Sequence, residues 1–173
     1  MKKGLLIVYT GNGKGKTTAA LGLAMRALGH GQKVCIVQFI KGSWKYGELF
    51  SAERFHGLLD FQVMGRGFTW KSEAIEKDRA IAREAWDYAK QQLQSQEYSL
   101  VILDELTYLI TLGFVEQDEI LNGLTSRREG LHTVVTGRNA PLPLIECADL
   151  VTEMLERKHP YQQGIKAQKG IEF

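Results

Sequence analysis

The chain has 173 residues, 44% of them hydrophobic and 24% charged, and its 22 basic and 20 acidic residues leave a net charge of +2. This suits one globular domain over residues 1–173, large enough to bury roughly 70% of its unfolded surface. It makes no electrostatic case for nucleic acid or an anionic membrane, and no apolar run approaches the roughly 20 residues that cross a bilayer.

The first element, "LLIVYT" (Leu5–Thr10), is too short for the apolar stretch of a signal peptide. It leads into glycines without a cleavage-like site, so it reads as a buried strand. Behind it comes "TGNGKGKTT" (Thr10–Thr18), a phosphate loop of the form G-x-x-x-x-G-K-[ST], with Thr10 where glycine is usual and Gly15, Lys16 and Thr17 at the end. A strand before it and a helix after it restore the match. Gly11, Gly13 and Gly15 let successive N–H groups turn toward phosphate oxygens, with Asn12 and Thr18 in the same cradle. Lys16 adds charge there, and the Thr17 hydroxyl is placed to ligate magnesium. Lys14 is either a second phosphate contact or a solvated loop charge. A dinucleotide fingerprint read from Gly11 would need glycine at position 16, which is Lys16, and fails. The bland alternative is a glycine-rich turn that binds nothing.

"KTTAALGLAMRALGHG" continues as a helix that stops near Gly29–Gly31. "KVCIVQF" (Lys33–Phe39) is the second strand. Its Cys35, like Cys147, lies in apolar surroundings without a second ligand at metal spacing, so both read as buried free thiols of a reducing cytosol. The third strand, "FQVM" (Phe61–Met64), is followed by "GRGFTW" (Gly65–Trp70). There Phe68 and Trp70 either anchor a connection to the core or wall a site for a flat apolar ligand.

A long helix is expected over Ser72–Gln96, with Ile75, Ala82, Ala85, Trp86, Ala89 and Leu93 on one face, Ser72 as N-cap, and Glu73 and Glu76 in the first turn. "SLVILD" (Ser99–Asp104) is a strand ending in Asp104 and Glu105, the acidic companion of a phosphate loop that holds magnesium directly or through water. A second helix covers Val115–Leu124. "TVVTG" (Thr133–Gly137) then ends beside Arg138, which reads as a phosphate contact or as half of a surface ion pair. "LVTEM" (Leu150–Met154) closes the strand set, and Pro141, Pro143 and Pro160 punctuate connections. Strand-length runs alternating with helical segments predict a three-layer α/β P-loop fold with a mostly parallel sheet of about six strands.

The blocks "TGNGKGKTTAA", "VQFIKG", "GRGFTW", "VILDELTY", "VVTGRNAP", "ADLVTEM" and "KHPYQQGIKAQKGIEF" follow one another from Lys3 to Phe173. Together they resemble the RecA-like P-loop group of ATP:corrinoid adenosyltransferases, enzymes of vitamin B12 synthesis and salvage. That resemblance implies a cytoplasmic enzyme and a homodimer. The Co(I) of a corrinoid, either cobalamin or cobyrinic acid a,c-diamide, attacks the 5′ carbon of ATP and triphosphate leaves. The nucleotide is implied to lie reversed in the cradle. Lys16, Arg138 and magnesium (manganese as the alternative) would stabilise the leaving group. By position, Thr17 and Glu105 match the family's metal neighbourhood, with Asp104 beside them.

Phe68 and Trp70 match an aromatic pair below the corrin ring that displaces the lower axial ligand and excludes water. Co(II) then becomes reducible by a cellular electron donor, a flavoprotein reductase or flavodoxin. Many members carry an N-terminal extension that helps cover the site. Here "MKKG" alone precedes the first strand, so cover is expected from a dimer partner or from the C-terminal segment. His159 reads as a structural or polar contact, since a ligated cobalt would defeat the chemistry. The competing functions are a P-loop ATPase or small-molecule kinase, with Glu105 activating water, and an ATP-dependent corrinoid carrier without turnover. A kinase's arginine-rich lid has no counterpart in the sequence.

Overall fold

The structure, a computed structural model, describes residues 3–40, 42, 46–65 and 72–172. Its elements in chain order are β1 (Leu6–Thr10), α1 (Lys16–Gly29), β2 (Val34–Gln38), α2 (Gly47–Ala52), β3 (Leu59–Val63), α3 (Ser72–Gln94), β4 (Leu100–Asp104), α4 (Thr107–Thr111), α5 (Gln117–Thr125), β5 (His132–Thr136), α6 (Leu142–Cys147) and β6 (Leu150–Glu153). A short 3-10 turn follows at Pro160–Gln163. The six strands form one sheet in the order β3-β2-β4-β5-β1-β6, with every pairing parallel.

Successive strand residues point to opposite faces, and the two faces are buried against different helices. Leu6, Val8, Val101, Leu103 and Val135 pack with Trp86, Ala89 and Leu93 of α3 and with Ile120, Leu124 and Leu144. Ile7, Leu100, Ile102, Val134, Val34 and Ile36 pack against Ala20, Ala24, Ala27 and Leu28 of α1. Hence β2 and β4 are buried along their whole length, as strands covered on both faces must be. Trp86 is fully buried, and its indole N–H donates to Glu119 Oε1 at 3.1 Å. Removing a side chain of that size from a packed core costs about 3–5 kcal/mol.

Several sequence expectations move. β3 begins two residues before "FQVM", because the charged Asp60 interrupts the apolar run and yet pairs with Cys35 on β2. α3 starts at Ser72 itself rather than after it, and stops at Gln94. Ile75 does not join its apolar face: it is 37% exposed, seven residues ahead of Ala82, where the helix first meets the core. Cys147 is half-buried, whereas Cys35 is buried. α2, α4 and α6 escape a periodicity search because five or six residues do not complete two turns. No helix among the described residues is long and apolar enough to cross a membrane.

Candidate active site

Strand register brings the C-terminal ends of β1, β4 and β5 to one edge of the sheet. Tyr9 is level with Thr136, and Leu103 with Val135. The phosphate loop leaves β1 at this edge and returns as α1. Gly15 precedes the helix with φ 108°, and no side chain caps the helix start. An uncapped N-terminus presents backbone N–H groups and the positive end of the helix dipole to the site.

The loop glycines have a second reason to be glycine. Met154 N donates to Thr10 O, and Gly13 N donates to Met154 O at 2.7 Å, so the chain leaving β6 lies across the loop. A Cβ at Gly11 would stand 2.5 Å from Met154 O, and one at Gly13 would stand 2.8 Å from the Leu155 backbone. The loop is also drawn around its own lysine. Lys16 Nζ donates to Gly11 O at 2.8 Å and to Gly13 O at 2.7 Å. Burial pulls the Lys16 ammonium below the ordinary lysine value; Arg138 adds to this, while the carboxylates of Glu105 and Asp104 oppose it.

Asp104 is 1% exposed and its carboxylate is held by three side chains. Thr17 Oγ1 donates to Oδ1 at 2.8 Å, Thr136 Oγ1 to the same oxygen at 2.6 Å, and Gln38 Nε2 to Oδ2 at 2.9 Å. Glu105, next along the chain, adopts φ 66°, a left-handed conformation uncommon for a residue with a side chain. Its N–H donates to Thr136 Oγ1 at 2.9 Å.

On the neighbouring strand, Gly137 at φ 144° lies so close to Thr107 that a Cβ would be 2.0 Å from the hydroxyl. Thr107 Oγ1 donates to Arg138 O at 2.7 Å and pins the backbone from which the exposed Arg138 side chain departs. Asn139, with φ 52°, completes the turn.

These elements border a cavity of about 660 Å³. One wall is polar: Asn12 through Thr18, Glu105, Tyr108 and Arg138. The other runs along α1, α2 and β3 and is largely apolar, with Leu21, Met25, Phe55 and Phe61. The C-terminal segment contributes His159, Gly170, Ile171 and Glu172. Lys14 lines the cavity and pairs with this segment, its Nζ 2.7 Å from Glu172 Oε2. His159 precedes the 3-10 turn, where its Nδ1 accepts from Tyr161 N at 3.2 Å, a structural role.

Gly11, Asn12, Gly13, Lys14, Gly15, Lys16, Thr17, Thr18, Asp104, Glu105 and Arg138 thus gather at one edge. Phe68 and Trp70 lie outside the described residues. Sequence reading passed over Gln38, Thr136, Thr107 and Tyr108. For two of them a signal was present, since Gln38 is a polar residue in the otherwise apolar "VCIVQF" and Thr136 stands last before a glycine. A hard cation fits the donor set of Thr17, Glu105 and phosphate oxygens. The oxygens of Asp104 are engaged by protein donors, and no cluster of three His, Cys, Asp or Glu residues occurs among the described residues. Such an ion would therefore depend on triphosphate for part of its shell.

Comparison with known proteins gives a consistent result. Residues 2–173 match the model of a family described as ATP:corrinoid adenosyltransferase BtuR/CobO/CobP. The corrinoid adenosyltransferase of Escherichia coli (strain K12) is 45% identical over 172 residues, covering 99% of this chain and 87% of that protein. That of Pseudomonas aeruginosa is 47% identical, covering 99% and 85%. Corrinoid adenosyltransferase CobA of Salmonella typhimurium is 42% identical, covering 99% and 87%. In architecture the chain is similar to the flagellar accessory protein FlaH of Methanocaldococcus jannaschii. That likeness has a TM-score of 0.54 at 13% identity over 88% of this chain and 72% of that one, and it speaks to the fold alone.

Proposed function

The chain belongs to the ATP:corrinoid adenosyltransferase BtuR/CobO/CobP family, and on that footing we propose how its residues divide the work of the transfer. The enzyme moves the 5′-deoxyadenosyl group of ATP to the Co(I) centre of a corrinoid and releases triphosphate. The Co(I) electron pair forms the cobalt–carbon bond. The C5′–oxygen bond breaks, and its electrons leave on the triphosphate.

In our reading the phosphate loop grips a leaving group. Gly11 to Thr18 supply backbone N–H groups, Lys16 and Arg138 supply charge, and all of them act on oxygens whose negative charge grows as the bond breaks. Magnesium or manganese bound by Thr17 and Glu105 would neutralise part of that charge. The Thr17 hydroxyl gives its hydrogen to Asp104, which leaves its lone pairs for that site. The apolar wall of Leu21, Met25, Phe55 and Phe61 would exclude water from the reacting centre. Phe68 and Trp70 are assigned the lower face of the corrin on the strength of their sequence block. Reduction of Co(II) calls for a one-electron donor of the flavoprotein reductase or flavodoxin type. A homodimeric, cytoplasmic enzyme of one domain completes the reading.

The observation that supports this reading best is the continuity of the cavity, in which one space joins a triphosphate cradle to an apolar wall. Anaerobic incubation with magnesium, ATP and a chemically reduced corrinoid, followed by chromatography of both products, is the test. Adenosylated corrinoid with stoichiometric triphosphate is expected. ADP with unchanged corrinoid would overturn the reading in favour of phosphate chemistry.

A further inference from the structure

We infer that Thr136 is a positioning residue that sets Asp104 and Glu105 as one unit for the divalent cation, an inference that rests on the metal–triphosphate reading above. Thr136 is the last residue of β5 and is fully buried. Its hydroxyl is used in both directions: it donates to Asp104 Oδ1 at 2.6 Å and accepts the Glu105 N–H at 2.9 Å. From a single atom the two bonds reach the last residue of the neighbouring strand β4 and the residue that follows it.

Each bond has a separate consequence. The donated hydrogen fixes the oxygen of Asp104 that also receives the Thr17 hydroxyl, so Thr136 of β5 and Thr17 of α1 share one acceptor at the end of β4. The accepted hydrogen satisfies a backbone donor at the point where the chain turns left-handed, at Glu105 φ 66°. A conformation of that kind persists only where its surroundings hold it. The side chain of Glu105 leaves the backbone from that turn toward the cavity edge. Outer groups that orient ligands in this way typically change metal affinity 10–100-fold when removed.

The same strand provides a control. Thr133 is also fully buried on β5, but its Oγ1 has no hydrogen-bond partner among the described residues. Thr136→Val and Thr133→Val therefore make the same isosteric change, and at Thr136 alone it breaks bonds to the acidic pair.

The test measures Mn2+ uptake in the presence of ATP from the loss of the free-ion signal in electron paramagnetic resonance, and ATP binding in EDTA. Thr136→Val should weaken Mn2+ binding by about tenfold or more, with ATP binding in EDTA essentially unchanged. Thr136→Ser should restore the wild-type value, and Thr133→Val should match wild type throughout. Thr136→Ala serves if the valine variant does not fold. Wild-type Mn2+ affinity in the hydroxyl-less variant, an equal loss of metal-free ATP binding, or no rescue by serine overturns the inference alone. A wild-type protein that takes up no Mn2+ with ATP overturns the metal reading, and the inference with it.

Discussion

The Lys14 ammonium lies 2.7 Å from the Glu172 carboxylate, tying the phosphate loop to a residue 158 positions further along the chain. The Lys14 side chain is about half exposed, so the pair contributes little to stability, of the order of 0–1 kcal/mol. Its effect should instead fall on ligand binding, because Glu172 sets a negative charge against a site for triphosphate. Glu172→Gln should lower the KM for ATP by roughly two- to fivefold at low ionic strength, and the gain should shrink in high salt. Steady-state kinetics at two salt concentrations check this, and an unchanged KM at low salt would remove Glu172 from the site's electrostatics.

Gly13 illustrates a requirement that comes from a neighbour rather than from its own dihedrals. Its φ is not among the positive ones, yet a Cβ would sit 2.8 Å from the Leu155 backbone. Gly13→Ala should therefore displace the chain leaving β6 and break the Gly13 N–H to Met154 O bond. Both the melting temperature and the ATP affinity should fall. Gly22→Ala, where a Cβ meets nothing within 4 Å on the helix α1, should be neutral or raise stability by up to about 1 kcal/mol. Thermal melts of the two variants separate close approach from helix propensity.

Lys16 should titrate early. Because burial lowers its value, the protonated form proposed to grip triphosphate is lost at a lower pH than for an exposed lysine. The KM for ATP should accordingly begin to rise on the alkaline side sooner than an exposed lysine would allow. Lys16→Arg should move that limb to higher pH, and Lys16→Met should cost about 10²–10³ in kcat/KM at neutral pH. A pH profile identical in wild type and the arginine variant would assign the limb to another group.

Glu119 bolts α5 to α3 by accepting from Arg83, Trp86 and Lys90. Burial pushes its carboxyl up, but the hydrogen bonds from Lys90 and Arg83 outweigh that and hold it below its ordinary 4.5. A depressed folded value stabilises the protein above the unfolded value, and the contribution disappears as pH falls through the folded one. Glu119→Gln, which keeps an acceptor for the indole, should flatten the loss of stability below pH 4.5. Glu119→Leu should cost about 1–3 kcal/mol at neutral pH by leaving the buried Trp86 N–H unpaired. Denaturant titrations between pH 3 and pH 7 test both.

Much of the architecture was readable because parallel strands buried on both faces carry continuous apolar runs, as "VCIV" and "LVIL" do. The loop from Thr10 to Thr18 was readable for a different reason: gripping phosphate through backbone N–H groups demands glycines at set positions. The supports of the site were harder to see. Thr136 and Thr107 are ordinary strand and helix residues in sequence, and their importance depends on which strands lie side by side. The Lys14–Glu172 contact is non-local, so no window of residues contains it. Ile75 misled because a hydrophobic spacing continues past the end of the surface it could pack against.

The place of β1 between β5 and β6 has a consequence for synthesis. The first strand has no neighbour in the sheet until β5 has been made, and the phosphate loop gets its lid of backbone only when Met154 and Leu155 arrive. At about 5–20 residues per second, the nascent chain waits on the order of ten seconds with its nucleotide-gripping loop unformed and an apolar strand unpaired. Pairings this distant also slow folding once the chain is free. The protein is thus built in an order that keeps the loop open until almost every other part of the sheet exists.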